Sequence, residues 1–264
     1  MTHNQHAAEA LRQMRVAGPL VHNITNYVSM DVSANVLLAI GAAPAMVHAA
    51  EEVEAFARIS SSLAINIGTL SAPWVAAMHA ARSAARAAGV PVVLDPVGAG
   101  ATRYRTRTAI DLLEAGVQVV RGNASEILAL AGAAAPRGVD AAHEVSEALD
   151  AARAIARKFN CVVAATGARD AVTDGERVLF VGGGHPLMTK VTALGCALTG
   201  VIAAFVATGD DPLVATSSAL AVYGVAGEQA GERSSGPGSF RTQFIDALHT
   251  MSPEQIEAAA RIEG

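Results

Sequence analysis

Short apolar runs alternate with Ala-rich segments of helical length over the first two-thirds of the chain. Six runs rich in Val, Ile, Leu and Ala predict strands: Pro19–His22, Ala43–Val47, Leu63–Ile67, Pro91–Leu94, Val117–Arg121 and Cys161–Ala165. The intervening segments predict helices: Ser29–Ile40, Glu51–Ser60, Pro73–Ala88, Thr106–Ala115, Ala124–Ala131 and Glu144–Phe159. This alternation predicts an α/β fold with a mainly parallel central sheet and helices on both faces.

The pattern changes after Ala165. The segment Asp170–Phe180 has a strand on each side of Asp174-Gly175, a residue pair typical of a two-residue hairpin turn, and predicts an antiparallel edge hairpin. Three further helices are expected at Gly195–Thr208, Pro212–Gln229 and Phe240–Leu248. Because no long low-complexity linker interrupts the chain, one domain over residues 1–264 is the preferred interpretation.

Composition narrows the class of protein. Hydrophobic residues make up 52% of the 264 positions and charged residues 16%, which excludes a disordered chain. The net charge of −5 comes without any basic run, so neither nucleic acid nor a membrane surface is expected as a partner. The uncharged stretches Val32–Ala50 and Val191–Gly209 are interrupted by Gly or Pro and are interpreted as interior elements. The same lack of a basic run favours a small molecule as the partner, and the absence of a signal-like N-terminus and of CxxC spacing favours a cytoplasmic protein.

Polar residues follow or end most of the predicted strands. They are His22-Asn23, Asn66, Asp95, Arg121-Gly122-Asn123 and Thr166. Each one taken alone is a common helix cap or turn residue. Ligands of parallel sheets bind at the carboxyl ends of the strands, so the whole set predicts a binding site at this edge.

The segment Lys190–Ala197 opens a long apolar helix with small residues. Free backbone N–H groups at a helix N-terminus bind anions, which indicates a phosphoryl site, although Gly195 also suits close packing of a buried helix. Cys196 would lie in the first turn, where the pKa of a thiol can be lowered, whereas most such cysteines are inert core residues.

Two carboxylates and one guanidinium are candidates for phosphoryl-transfer chemistry. Asp95 and Glu126 are placed to bind Mg²⁺, and Arg121 to pair with nucleotide phosphates. A first-turn charge on a helix is the alternative for Glu126, and a turn before Pro96 is the alternative for Asp95. The sequence has no GxxxxGK[ST], GxGxxG, HExxH or GxSxG motif, which argues against P-loop kinases, classical dinucleotide dehydrogenases, zincins and esterases.

Seven segments occur in an order that matches a known family. They are His22-Asn-Ile-Thr-Asn26, Gly41-Ala-Ala-Pro-Ala-Met46, Asn66-Ile-Gly-Thr69, Leu94-Asp-Pro-Val-Gly-Ala-Gly-Ala-Thr102, Arg121-Gly-Asn-Ala-Ser-Glu126, Val172-Thr-Asp-Gly175 and Gly195-Cys196. From about residue 10 to residue 250 the chain resembles the hydroxyethylthiazole kinases of the ribokinase-like superfamily. The resemblance implies ATP- and Mg²⁺-dependent phosphorylation of 4-methyl-5-(2-hydroxyethyl)thiazole in thiamine salvage. It also implies a homotrimer with thiazole pockets between subunits.

The resemblance assigns roles to individual residues. Met46 of a neighbouring subunit and Asn23 would contact the thiazole, and Ala193 would lie beside the substrate. ATP would be bound by Arg121, Thr166 and Asn123, and Mg²⁺ by Asp95 and Glu126. Gly195 and Cys196 would lie at the reacting alcohol.

One segment departs from the family pattern. The usual Thr-Gly-Thr-Gly-Cys reads Thr192-Ala193-Leu194-Gly195-Cys196 here. If the second position needs a positive φ, Ala193 costs roughly 1 kcal/mol or more relative to Gly.

Two other functions stay open from the residues. One is a different ribokinase-like small-alcohol kinase, acting on hydroxymethylpyrimidine or a sugar. The other is a catalytically weakened nucleotide-binding sensor, which Ala193 and Leu194 would favour.

Overall fold

A computed structural model of the chain describes residues 1–132 and 141–264. Within these ranges nine strands form one sheet in the order β2-β1-β3-β4-β5-β6-β7-β8-β9. The strands are β1 Leu20–Ile24, β2 Ala43–Ala45, β3 Ser62–Asn66, β4 Val92–Asp95, β5 Val119–Asn123, β6 Val162–Thr166, β7 Asp170–Thr173, β8 Val178–Gly182 and β9 Arg261–Glu263. The predicted single domain also includes residues 133–140, which lie outside the described ranges, and it stays a prediction.

Helices connect and cover the strands. They are α1 His3–Ala17, α2 Met30–Ile40, α3 Val53–Ile59, α4 Ala72–Ala87, α5 Arg103–Glu114, α6 Ala124–Leu130, α7 Ala141–Phe159, α8 Leu194–Val206, α9 Pro212–Glu232, α10 Pro237–Thr250 and α11 Pro253–Ala259, with a 3₁₀ helix at Pro186–Lys190. None of the helices in the described part of the chain has the length and apolar character needed to cross a membrane.

The first six strands are parallel and the last three are antiparallel, which confirms the predicted α/β class. Side chains alternate between two cores, as the period of two in a strand requires. In β4, Val93 faces the core formed with α1, α2, α8, α9 and α10, whereas Val92 and Leu94 face the core formed with α3 to α7. The sheet is therefore covered on both faces.

Two expectations about the antiparallel part need correction. The hairpin is not the edge of the sheet, because β9 pairs with β8 beyond it. The turn is also not a two-residue turn, since Thr173 pairs with Val178 and leaves four residues between them. Asp174 Oδ1 accepts hydrogen bonds from the backbone N–H groups of Glu176 and Arg177, which stabilises this longer loop.

The pattern analysis also missed α1, α11 and β9. Helix α1 begins with a capping box, in which Thr2 caps Gln5 N–H and the Gln5 side chain accepts from Thr2 N–H. That signal is readable as Thr-x-x-Gln in the sequence. Strand β4 ends at Asp95 and β5 at Asn123, later than predicted. Polar residues at the end of a parallel strand can still form backbone hydrogen bonds with the neighbouring strand.

Candidate functional site

The order of the strands in the sheet changes direction between β1 and β3. From β1 it moves to β2 on one side and then to β3 on the other side. Such a switch point leaves a crevice at the carboxyl ends of the strands, where ligands of open α/β sheets bind. Asn26 follows β1, and Asn66 and Asp95 end β3 and β4, so three polar side chains meet beside this crevice.

Asp95 is the most deeply buried charged group of this crevice, with 0% of the residue exposed. Its Oδ2 accepts hydrogen bonds from Asn66 Nδ2 and Thr199 Oγ1, both at 2.8 Å. The Arg121 guanidinium lies 3.7 Å from the same oxygen. Burial raises the pKa of Asp95 to about 6, Arg121 opposes the rise, and the nearby charge of Glu126 adds to it.

The other carboxylate oxygen of Asp95, Oδ1, differs from Oδ2 in its hydrogen bonding. Among the described residues, buried Oδ1 has no hydrogen-bond partner. A buried acceptor without a partner costs roughly 1–3 kcal/mol, more when charged. This oxygen is therefore suited to a cation or to a metal-bound water.

A row of amides links Asp95 to Cys196. Asn26 Nδ2 donates to Asn66 Oδ1 at 2.8 Å and to Cys196 Sγ at 3.3 Å, and Asn66 in turn donates to Asp95. A Cβ on Gly68 would lie 2.5 Å from Asn26 Nδ2, so the row leaves no room for a side chain there. The carboxylate and the thiol are thus held in one hydrogen-bonded arrangement.

The helix opening predicted around Gly195 is present. Ala193 has φ 69° and ψ −3°, so this position does adopt the positive φ considered for it, and α8 begins at Leu194. Over the described residues, no side chain caps this helix N-terminus. First-turn N–H groups without a cap are an anion-binding arrangement.

Arg121 connects the sheet to this helix turn. Its Nη2 donates to Thr166 Oγ1 at 2.9 Å and its Nη1 donates to the Gly195 carbonyl at 3.1 Å. A Cβ on Gly195 would lie 3.3 Å from Arg121 Nη1, which is tighter than an ordinary contact. Glycine at this position lets the guanidinium approach the backbone.

A cavity of about 670 Å³ opens beside Arg121 and Gly195. Its lining combines the polar side chains of Arg121, Thr166 and Asp170 with less polar residues such as Met188, Leu194 and Tyr223. A cavity that combines apolar residues with a few placed polar groups suits a nucleotide, with its phosphates near the guanidinium.

Cys196 lies in the first turn of α8, as predicted, but the possibility of a lowered pKa does not hold. Burial and the charge of Asp95 raise the pKa of Cys196, and donation from the Asn26 and Asn66 amides only partly opposes this. The thiol is therefore protonated at neutral pH.

The Asn123–Glu126 pair forms a capping box at the start of α6. Asn123 Oδ1 accepts from Glu126 N–H at 3.0 Å, and Glu126 Oε2 accepts from Asn123 N–H at 2.9 Å. Glu126 Oε1 also accepts from Gly98 N–H at 2.9 Å. The helical role considered for Glu126 is thus present, while its charge still acts on Asp95.

Asn23 and Met46 lie apart from this cluster. Asn23 is 3% exposed, its Nδ2 donates to the Val21 carbonyl at 2.9 Å, and it packs near Gly200 of α8. Met46 follows the edge strand β2 and is partly buried. The loop after Met46 is held by buried His22, whose Nε2 donates to the Val47 carbonyl at 2.7 Å. The thiazole contacts of Asn23 and Met46 stay predictions.

Three polar groups at the site were not identified from the sequence. Thr199 is hidden in an apolar helix, Tyr223 in a long Ala-rich one, and Asp170 at the start of β7. Burial raises the pKa of Asp170 to about 6, with opposition from the Gly167 N–H and from Arg121. A polar residue within an otherwise apolar helix is the signal available for Thr199, since such a side chain needs a buried partner.

Comparisons with known proteins agree on one family. The model of the "Hydroxyethylthiazole kinase family" matches residues 11–254. A hydroxyethylthiazole kinase of Oleidesulfovibrio alaskensis is 50% identical over 264 residues, covering 99% of both chains. The solved structure of a hydroxyethylthiazole kinase protein from Pyrococcus horikoshii OT3 superposes with TM-score 0.91 at 44% identity, covering 97% of this chain and 98% of that one.

A more distant neighbour shows the fold alone. The pyridoxal kinase of Staphylococcus aureus, solved with AMP-PCP and pyridoxal, has TM-score 0.60 at 16% identity, covering 80% of this chain and 88% of that chain.

The ionisation of Asp95 predicts a pH-dependent difference in stability. Because its folded pKa of about 6 exceeds the usual value of 3.8, ionisation opposes folding as the pH rises through this range. We expect the unfolding free energy of Asp95→Asn at pH 8, without metal or nucleotide, to exceed that of wild type by roughly 3 kcal/mol, and the variant to unfold at a higher temperature. The advantage should shrink towards pH 4.5.

Thermal and urea unfolding of both proteins across this pH range measure the difference. Asp111→Asn, a change in a carboxylate paired with Arg107 on the surface of α5, is the control and should show no comparable pH dependence. A difference for Asp95→Asn that is constant or grows towards acid pH would contradict the assignment.

Proposed function

Because the chain belongs to the hydroxyethylthiazole kinase family, we propose that its site transfers the γ-phosphoryl group of ATP to the hydroxyl of 4-methyl-5-(2-hydroxyethyl)thiazole. The product is the thiazole monophosphate, an intermediate of thiamine salvage. One observation carries the proposal. Arg121 and the first residues of α8, a helix with no side-chain cap among the described residues, line one nucleotide-sized cavity, and the Arg121 guanidinium lies 3.7 Å from the Asp95 carboxylate.

Arg121 and Thr166 bind the phosphates of ATP in this proposal. The Arg121 guanidinium is held by Thr166 Oγ1 and by the Gly195 carbonyl, so its orientation is set before the nucleotide arrives. A preorganised guanidinium offers two parallel donors to phosphate oxygens. Asn123 ends β5, the strand that carries Arg121, and is also assigned to the nucleotide, while its side chain caps α6.

The first turn of α8 binds the phosphoryl group during its transfer. Here the N–H groups of Leu194, Gly195 and Cys196 stabilise the negative charge on the phosphoryl oxygens as it passes from ATP to the alcohol. Phosphoryl transfer has a loose transition state, so positioning and charge stabilisation account for most of the rate. A strong base is not required.

Asp95 and Glu126 fit a divalent cation, and Mg²⁺ is the one proposed. The buried Asp95 Oδ1 is an acceptor without a partner in the described residues, and Mg²⁺ sites beside phosphates use few protein carboxylates. When bound, Mg²⁺ neutralises charge on the phosphate oxygens. Across the residues described, no cluster of three or more His, Cys, Asp and Glu is present, which is consistent with a cation held partly by the nucleotide.

Cys196 lies near the alcohol and has a modest role. Its protonated thiol is a weak proton acceptor, and it already accepts a hydrogen bond from Asn26. Ala193 and Gly195 supply backbone close to the same point, where a larger residue at 195 would meet Arg121.

We further propose a homotrimer in which Met46 completes the thiazole pocket of a neighbouring subunit. β2 is the edge strand of the sheet, and Met46 follows it. Tyr27 and Val28, directly after Asn26, are 67% and 59% exposed, so apolar surface lies next to the site. A flexible thioether suits contact with an aromatic ring.

The substrate assignment predicts one product. Wild-type protein with Mg²⁺-ATP and hydroxyethylthiazole should give thiazole monophosphate by mass spectrometry and equimolar ADP in a coupled assay, whereas Asp95→Asn should give neither. Hydroxymethylpyrimidine and a sugar panel serve as competing alcohols. Rapid phosphorylation of one of these without thiazole phosphate would contradict the assignment, and bound ATP without any turnover would favour a sensor.

The shared pocket predicts complementation between two inactive proteins. Met46→Asp and Asp95→Asn damage different halves of a site shared by two subunits. Co-expressed chains that assemble at random should therefore regain about a quarter of the wild-type sites, because each site needs one intact half from each neighbour. Light scattering must show a trimer for the wild type and for the mixed sample. Trimers that mix without regaining activity would place both residues in the site of a single chain.

The modest role of Cys196 predicts graded variants. Cys196→Ala should keep at least about a tenth of the wild-type kcat, because charge stabilisation by the helix turn remains. Cys196→Asp should raise kcat, since burial and Asp95 would bring a carboxylate pKa closer to the working pH. Cys161→Ala, in the core on the other side of the sheet, is the matched thiol control and should leave kcat unchanged. Complete loss in Cys196→Ala without rescue by Asp would show that the thiol is essential.

A further inference from the structure

The first turn of α8 begins from an unfavourable backbone conformation. Ala193 is one of two non-glycine residues with positive φ in the described part of the chain. An L-residue with a Cβ populates this region poorly, whereas glycine populates it readily. The turn therefore needs support from outside, because among the described residues no side chain caps it.

Tyr223 of α9 supplies a contact at this turn. Its hydroxyl donates to the Leu194 carbonyl at 2.7 Å, directly after Ala193. The tyrosine is 2% exposed, and its ring packs edge-on against Phe244 with 4.7 Å between ring centroids, so the direction of the hydroxyl is fixed. Burial raises the pKa of Tyr223, which keeps the hydroxyl protonated and able to donate at any working pH.

The next carbonyl is held by another element. Arg121 of β5 donates to the Gly195 carbonyl, so two consecutive carbonyls of the turn are fixed by two different elements. Arg121 is also assigned to the phosphates of ATP, so the position of its guanidinium responds to the bound nucleotide. The Tyr223 hydroxyl is the contact whose geometry does not depend on the nucleotide charge.

We propose that Tyr223 is a positioning residue for phosphoryl transfer, holding the Ala193–Leu194 turn in its left-handed conformation so that the first N–H groups of α8 face the transferred group. This rests on the proposed function and extends it to a residue of α9. The hydroxyl acts through the turn. The ring lines the cavity and packs on Phe244, and it is retained in phenylalanine.

Tyr223→Phe removes the hydroxyl and keeps the ring. We expect kcat to fall about tenfold, as the loss of one buried hydrogen bond at the helix turn would produce, with the KM for the thiazole changed by less than about twofold. Tyr104→Phe makes the same change on a tyrosine that is 50% exposed on α5, and should leave both constants unchanged.

The proposal also predicts rescue by glycine. In an Ala193→Gly background the left-handed conformation is available without a Cβ penalty, so Tyr223→Phe should lower kcat by only about twofold there. A role limited to overall stability would give the same loss in both backgrounds. Equal losses, or an unchanged kcat for Tyr223→Phe in the wild-type background, would overturn the proposal.

Amide hydrogen exchange of the ligand-free proteins separates this inference from the proposed function. Tyr223→Phe should speed exchange in peptides that span Leu194–Ala197, and more so in the wild-type background than in the Ala193→Gly background. Unchanged exchange would contradict the proposal that the Tyr223 hydroxyl holds the Ala193–Leu194 turn. If the wild type forms no thiazole phosphate, the proposed function fails, while the exchange comparison still decides whether Tyr223 holds the turn.

Discussion

The site depends on the burial of one carboxylate, Asp95, at the carboxyl end of β4. Removing a charge from water is expensive, and the protein offsets the cost only in part, with two neutral donors and one guanidinium on the same oxygen. The other oxygen stays without a partner in the described residues. The contacts of Asn66, Thr199 and Arg121 with Asp95 hold these three side chains in place. They also fix the positions of β3, α8 and β5 relative to β4.

The second constraint is the junction before α8, where the helix begins with a left-handed residue and without a side-chain cap among the described residues. Ala193 turns the chain so that the helix can open towards the cavity, and a cap there would occupy the N–H groups that bind an anion. The strain of the turn is offset by contacts on its carbonyls from β5 and α9. Under the proposed mechanism the contacts that hold the turn also orient its N–H groups, so stability and activity are coupled at this junction.

Local patterns were enough to predict much of this arrangement. The parallel strands and the polar residues at their ends follow from periodicity and topology, and the departure from a family motif at Ala193 raised the question of a positive φ there. The partners of Thr199 and Tyr223 could not be found in this way. A polar residue in an apolar helix indicates that it has a buried partner, but each of these partners is distant in sequence. The length of the β7–β8 loop depended on Asp174 accepting two backbone hydrogen bonds, and the pair Asp174-Gly175 does not by itself distinguish that loop from a tighter turn.

A crystal structure of the protein with Mg²⁺, a non-hydrolysable ATP analogue and hydroxyethylthiazole tests most directly whether transfer occurs between Asp95 and the first turn of α8. The terminal phosphoryl group should lie within hydrogen-bonding distance of the Gly195 and Cys196 N–H groups. The thiazole hydroxyl should approach it from the side of Cys196, and Asp95 Oδ1 should face the metal or one of its waters. A terminal phosphoryl group bound away from the α8 turn, or a metal held without Asp95, would contradict this arrangement.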